Sequence, residues 1–373
     1  MSKYINGQAI IQQFEAWSPK SYAVEGDKNG LMIGTLNKPI KKVMVALDVL
    51  EEVIEEAINE EVDLIVAHHP LLFRPLKKID LDTSQGRIIE KAIKHRITIY
   101  AAHTNLDVAL GGVNDMMAEA LGLHQTEVLS PTQMVGLKKI VVFVPETHVG
   151  TIREALGKAG AGHIGNYSHC TFNSKGEGTF KPEEGTNPFI GQQGELEYVK
   201  EVKVETVIPS HLQKKIISTI IKAHPYEEPA FDIYPLENKG EVLGLGRVGL
   251  LKNEMTLADF ANHVKKVFDV KGARVVGDLH SPVRKVAVLG GDGNKYMKDA
   301  IFKGADVFVT GDVYYHVAHD AMMDGLNIID PGHNVEKIMK NGVKQFFERF
   351  LEQTNYDTKV ITSKRNTDPF QFV

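Results

Sequence analysis

The sequence predicts an α/β protein in which a discontinuous, mostly parallel-sheet domain covered by helices is interrupted by an inserted ferredoxin-like α+β domain. Three observations predict it: apolar runs of strand length alternate with helical patterns early in the chain, that rhythm breaks after Leu123, and it returns from about Leu243. Strands buried on both faces read as continuous apolar runs, and helical crossovers between them belong to parallel sheets. The expected boundaries are 1–128 and 243–373 for the two parts of the α/β domain and 129–242 for the insert.

The elements follow in order. Val43-Met44-Val45-Ala46-Leu47 precedes a helix around Glu51 to Glu60, Leu64 to Ala67 is the next strand, and a helix near Gly86 to His95 leads to the strand Ile97 to Ala102. Beyond Leu123, Lys138 to Val144 reads as a strand, Gly150 to Lys158 as a helix, Cys170 to Phe172 and Val202 to Val207 as strands, Leu212 to Ala223 as a helix and Ala230 to Tyr234 as a strand. Strand, helix, two strands, helix, strand is the ferredoxin-like order. The polar stretch Asn173 to Gly194, rich in glycine, asparagine and proline, reads as a long loop. Thr256 is a suitable N-cap for an amphipathic helix to Phe268, and strands follow at Lys285 to Leu289, Val307 to Thr310 and Asn327 to Ile329.

Composition narrows the function classes. With 373 residues and 43% hydrophobic content the chain is long enough for two or three domains. Its 43 basic and 48 acidic residues leave a net charge of −5 without a long like-charge run, which favours neither nucleic acid nor an anionic membrane as partner. The single cysteine, Cys170, excludes an internal disulfide framework and a thiolate metal cluster, so any metal is held by nitrogen and oxygen. No stretch approaches the roughly 20 apolar residues of a membrane span, and the N-terminus lacks the apolar core of a signal peptide, so a cytoplasmic protein is expected.

Chemistry concentrates at strand ends. His68 and His69 follow directly on Leu64-Ile65-Val66-Ala67 and are closed off by Pro70. Successive side chains of a strand point to opposite faces, so two ions, with one histidine for each, are the natural reading of an adjacent pair. An isolated His-His pair is more often two polar residues in a loop. Two further ends shift that balance: His103-Thr104-Asn105-Leu106-Asp107 after one strand, and Asp330-Pro331-Gly332-His333-Asn334-Val335-Glu336 after another. Ligands collect beyond the carboxyl ends of parallel strands, and His333 and Glu336, three apart, share one helix face. The set His68, His69, Asp107, His333 and Glu336 therefore reads as a dinuclear metal site. Taken singly, Asp107 reads equally as an N-cap for the helix near Val113, His103 as a core histidine, and Glu336 as a first-turn acid. Asp48 and Asp312 are candidates to orient ligand histidines, or surface-loop acids. Gly290-Gly291-Asp292-Gly293 reads more simply as a turn than as a phosphate cradle, and His316 and His319 as partly exposed.

These residues resemble a known family. Asn29-Gly30-Leu31-Met32-Ile33-Gly34, Ala67-His68-His69-Pro70-Leu71-Leu72-Phe73, Ala102 to Asp107 with Gly111-Gly112-Val113-Asn114-Asp115, and Gly332-His333-Asn334-Val335-Glu336 look like the signatures of the GTP cyclohydrolase I type 2 homologs, also called the NGG-interacting-factor-three-like family. The likeness covers roughly residues 1 to 128 and 243 to 373; the segment between, with His224-Pro225-Tyr226-Glu227-Glu228-Pro229, resembles the PII-like or CutA-like insert of longer bacterial members. The resemblance implies a dinuclear centre on the same five residues with Glu336 bridging, a toroidal homohexamer, and hydrolytic opening of the guanine imidazole ring of GTP. The chain carries H-x-x-E where some members carry H-x-x-x-E.

Three imidazoles and two carboxylates suit two divalent ions such as zinc, manganese or iron. Four metal charges against two carboxylates and one hydroxide leave the centre about one unit positive, so a small anionic substrate, possibly a nucleotide, is expected. A water activated there would attack it, with His103 as candidate proton shuttle. The alternative is a metal-binding regulatory oligomer without turnover, whose PII-like insert senses a ligand or partner.

Overall fold

The early apolar runs become strands Lys42–Ala46, Leu64–Ala67 and Thr98–Ala101, lying parallel and side by side. Gly30–Ile33 adds antiparallel beyond Thr98–Ala101, and Lys359–Thr362 adds parallel beyond Lys42–Ala46, completing five strands. Alternation along each strand decides what covers each face. Met44, Ala46, Ile65 and Ala67 pack with Val53, Ile54 and Ala57 of helix Glu51–Asn59 and with Ile88, Ile89 and Ala92 of helix Ser84–Lys94. Val43, Val45, Leu64, Val66 and Tyr100 face the other way, into the main core with Phe14 of helix Gly7–Trp17 and Val343 and Phe347 of helix Met339–Glu352.

That core is shared with a second sheet. Its six strands run in the order Arg274–Val276, Asn327–Asp330, Val307–Gly311, Pro282–Asp292, Val242–Thr256 and His124–Met134, with Asn327–Asp330, Val307–Gly311 and Pro282–Asp292 mutually parallel. Val286, Val288, Val307, Val309 and Ile329 supply its side of the core. Helix Leu257–Val267 begins where Thr256 Oγ1 accepts from the Asp259 N–H at 3.1 Å, the cap expected from sequence.

The computed structural model describes residues 3 to 373; Met1 and Ser2, where the N-terminal reading begins, lie outside the described residues. The chain divides into two units: the chain up to Gln133 with Leu243–Val373, holding the two sheets above, and Met134–Val242. The second unit runs Leu137–Pro145, helix Val149–Ala159, Phe172–Phe180, Glu197–Pro209, helix Gln213–Ala223 and Phe231–Leu236. Its strands form one antiparallel sheet in the order Phe172–Phe180, Glu197–Pro209, Leu137–Pro145, Phe231–Leu236. Ile140, Val142, Val202 and Val204 pack there with Ile152, Leu156, Ile216 and Ile220 of the two helices. Among the described residues no helix is long and apolar enough to cross a membrane.

Two features depart from the sequence reading. The α/β unit contains two sheets rather than one, because local pattern marks buried strands but not their pairing. The stretch read as a loop from Asn173 contributes most of strand Phe172–Phe180, an edge strand whose side chains are largely exposed; backbone pairing with Glu197–Pro209 holds it, so it carries no apolar signature.

Phe14 is fully buried against Tyr100, Phe346 and Phe347 at ring separations of 5.6–6.2 Å. Phe14→Ala is expected to lower unfolding free energy by about 3–5 kcal/mol, read from denaturant melts of the full-length protein.

Candidate metal centre

The carboxyl ends of the two sheets face one another. From the first sheet, Asp48 lies just past Lys42–Ala46, His68 and His69 directly follow Leu64–Ala67, and His103 lies just past Thr98–Ala101. From the second, Asp312 follows Val307–Gly311, and His333 and Glu336 follow Asn327–Asp330. The turn into His333 needs Gly332, whose φ of 88° and ψ of 161° suit glycine alone. Asp330 clamps that turn, its Oδ1 accepting from the Gly332 N–H at 2.9 Å and its Oδ2 from the Val313 N–H at 3.0 Å. His333–Ile338 is a 3-10 turn rather than the expected α-helix, which stacks residues three apart and leaves His333 Nε2 3.2 Å from Glu336 Oε2.

Glu336 Oε2 is the focus. It lies 3.0 Å from His69 Nε2 and 3.7 Å from His68 Nε2, and His68 Nε2 is in turn 3.6 Å from Asp107 Oδ1. Three sets each bring their donor atoms within 4.8 Å: His69, His333 and Glu336; His68, Asp107 and Glu336; and His68, His69 and His103. Thus the structure brings together all six residues singled out from sequence. Asp107 is buried in the short helix Thr104–Val108, and the cap of helix Val113–Ala120 is Gly112, not Asp107.

Each imidazole is oriented from behind. Nδ1 of His68 donates to the Ala102 carbonyl at 2.8 Å, that of His69 to Asp48 at 2.6 Å, that of His103 to Asp27 at 2.6 Å and that of His333 to Asp312 at 2.7 Å. A proton held on Nδ1 leaves the Nε2 lone pair of a neutral imidazole turned inward. Lone pairs and carboxylate oxygens then converge on one space, an arrangement that demands positive charge. His68 Nε2 and Asp107 Oδ1, both buried, have no hydrogen-bond partner, and leaving such atoms unpaired is costly. Donors of one tetrahedral ion bound at 2.0–2.1 Å stand roughly 3.3–3.4 Å apart, close to the separations around Glu336, so the residues fit a metal.

The same demand appears in the acid–base behaviour without metal. Burial pulls His69 down, but Asp48 and Glu336 outweigh it and raise it to about 10; His333 rises against burial to about 9 through Glu336 and Asp312. Glu336 goes the other way: burial favours its neutral form, yet the surrounding imidazoles hold it well below the usual carboxylate range. Asp107 is pushed up, chiefly by burial.

Space for the cluster comes from glycine. A Cβ on Gly290 or Gly291 would stand 2.8 or 2.9 Å from Glu336 Oε1, so Gly290-Gly291, inside strand Pro282–Asp292 rather than a turn, give clearance for the carboxylate. Asn114, 1% exposed, ties both sides together, donating to the Asp107 carbonyl and accepting from the Gly290 N–H, each at 3.0 Å. A cleft of about 500 Å³ opens over the cluster, with Phe73, Leu245, Leu289 and Tyr296 on its walls. Asp27 was not legible from sequence: it follows no strand end, and its roles, accepting from His103 and from the Thr104 N–H at 3.1 Å, arise from distant packing. His316 and His319 are exposed on helix Tyr315–Met323 and join none of these sets.

Residues 5–369 match the family model Duf34/NIF3 (NGG1p interacting factor 3). The chain is 67% identical over 371 residues to a GTP cyclohydrolase 1 type 2 homolog of Halalkalibacterium halodurans and 61% identical over 373 residues to one of Bacillus subtilis, with full coverage of both chains in each case. A crystal structure of a Bacillus cereus protein related to NIF3 superposes with a TM-score of 0.94 at 61% identity, covering all of both chains. The chain belongs to the Duf34/NIF3 family.

If the Nδ1 bonds set the inward lone pairs, Asp48→Ala and Asp312→Ala each weaken divalent-metal affinity by about 10–100-fold while the fold persists. Competition with a chromogenic chelator measures this; affinities equal to the parent's would refute the orienting role.

Proposed function

We propose that this member of the Duf34/NIF3 family is a dinuclear metal-dependent hydrolase acting on a small anionic substrate, a nucleotide being the class favoured by the names its relatives carry. The observation that carries the reading is that Glu336 is common to two donor sets, His69 with His333 and His68 with Asp107. In this reading His69, His333 and Glu336 would hold one divalent ion (zinc, manganese or iron) and His68, Asp107 and Glu336 another, so that adjacent His68 and His69 would serve different ions. When bound, such a pair supplies Lewis acidity and an acidified water. The remaining work falls to side chains of this chain. His103, held by Asp27, moves a proton at Nε2 beside the cluster. Phe73, Leu245, Leu289 and Tyr296 restrict water and seat the substrate. GTP is the first substrate to test because the relatives are called GTP cyclohydrolase 1 type 2 homologs.

The proposal extends to assembly and to the second unit. The strand–helix–strand–strand–helix–strand order and the position of Leu137–Pro145 between Glu197–Pro209 and Phe231–Leu236 support a ferredoxin-like, PII-like insert. A cytoplasmic homohexamer is the assembly inferred from the family likeness. The second reading keeps the metals but not the turnover: a regulatory oligomer whose insert senses a ligand or partner.

The two readings separate on the metal-loaded protein. Incubation with GTP, other nucleotides and phosphate esters, monitored by ring-opening absorbance and phosphate release, is expected to show turnover. Glu336→Gln is expected to abolish it with loss of at least one ion. His103→Ala is expected to lower kcat by about 10²–10⁴-fold while metal content stays at the parent level. A protein that holds both ions and turns over none of these compounds would favour the regulatory reading.

A further inference from the structure

The turn that carries His333 and Glu336 has a second working edge. In a tight turn residues three apart stack, so Asn334 and Lys337 form an edge beside that of His333 and Glu336, and Lys340 follows at the same spacing at the start of helix Met339–Glu352. Asn334, Lys337 and Lys340 line a second cleft of about 730 Å³, walled also by the segment Asp269–Lys271 and by residues of the terminal segment 363–372, and sharing Asp48 with the first cleft. Three more cations, Lys271, Lys364 and Arg365, line it. Among the described residues none of these five cations lies within 4.0 Å of a carboxylate oxygen.

The carboxylates on the walls answer that charge only in part. Asp48 is taken by His69 and Thr367, and Asp269 meets Lys337 through its backbone carbonyl, which accepts from Nζ at 2.9 Å; Asp368 is the third. Lys340 Nζ donates to the Ser363 carbonyl at 3.0 Å. An ammonium has three donors, so both lysines retain unused N–H groups. Lys340 is lowered chiefly by burial and then by Lys337 beside it, while Glu56 and Asp48 pull it the other way. Five cations against three lining carboxylates, with Glu56 behind Ser363 and Lys364 as a fourth, leave this cleft locally positive in a chain of net charge −5, and clustered ammonium and guanidinium groups of this kind recognise multiply charged oxyanions.

We propose that this cleft is a second ligand site, for a polyphosphate or phosphorylated small molecule, separate from the His and carboxylate cluster and independent of whether that cluster turns over a substrate. Lys337 and Lys340 would grip the phosphate oxygens from the turn, with Arg365 closing on them from the terminal segment.

Calorimetric titration of chelator-treated, full-length protein with inorganic pyrophosphate at physiological ionic strength tests it, because no metal is then present to capture the probe. One saturable site per chain is expected. The double variant Lys337→Gln, Lys340→Gln is expected to weaken binding at least about tenfold, as is Arg365→Gln, an exposed substitution that leaves the turn intact. Glu336→Gln is expected to bind as the parent does. Thermal melts establish that each variant is folded. Inorganic triphosphate and a nucleoside triphosphate, titrated side by side, tell the two sources apart: equal affinity marks a site that reads phosphate alone, and tighter nucleotide binding marks one that also reads the base. Absence of saturable binding, binding unchanged in both basic variants, or binding lost in Glu336→Gln would overturn the proposal.

Discussion

A single carboxylate oxygen, Glu336 Oε2, faces Nε2 of His68, His69 and His333 across 3.0–3.7 Å, and each of those rings is fixed by a hydrogen bond at its opposite nitrogen. None of the rings can turn away without breaking its hydrogen bond. The space between them must therefore hold positive charge, as protons or as metal. Much of the surrounding structure serves that constraint: Gly290 and Gly291 give clearance, Gly332 permits the backbone path, Asp330 clamps it, and Asn114 locks the Asp107 segment to the facing strand.

The architecture explains why the charge is shared between two halves. The first sheet has four parallel strands and the second three, and each contributes a histidine backed by an aspartate from the neighbouring strand end: His69 with Asp48, and His333 with Asp312. The common core between the sheets, from Val43 and Val45 on one side to Val286 and Val288 on the other, holds the two halves in register.

Local signals in the sequence account for a large part of this. Apolar runs located the buried strands, Thr256 marked a helix start, and polar residues directly after apolar runs pointed to His68, His69, His103, Asp107, His333 and Glu336. What was not legible is what distant residues decide. Asp27 reaches His103 across 76 positions and the Gly290 N–H reaches Asn114 across 176, and no spacing rule links such pairs. Strand pairing is non-local in the same sense, so the division of the α/β unit into two sheets escaped. Strand Phe172–Phe180 escaped for a different reason: its side chains are exposed, and its order comes from backbone hydrogen bonds that any sequence can make.

In the dinuclear reading proposed above, the converging donors hold two ions. Elemental analysis of the purified full-length protein, loaded in turn with zinc, manganese and iron and freed of loosely held metal by gel filtration, measures it most directly. Two ions per chain for at least one of these metals is the expected result; a reproducible ratio of one or none for all three would contradict it.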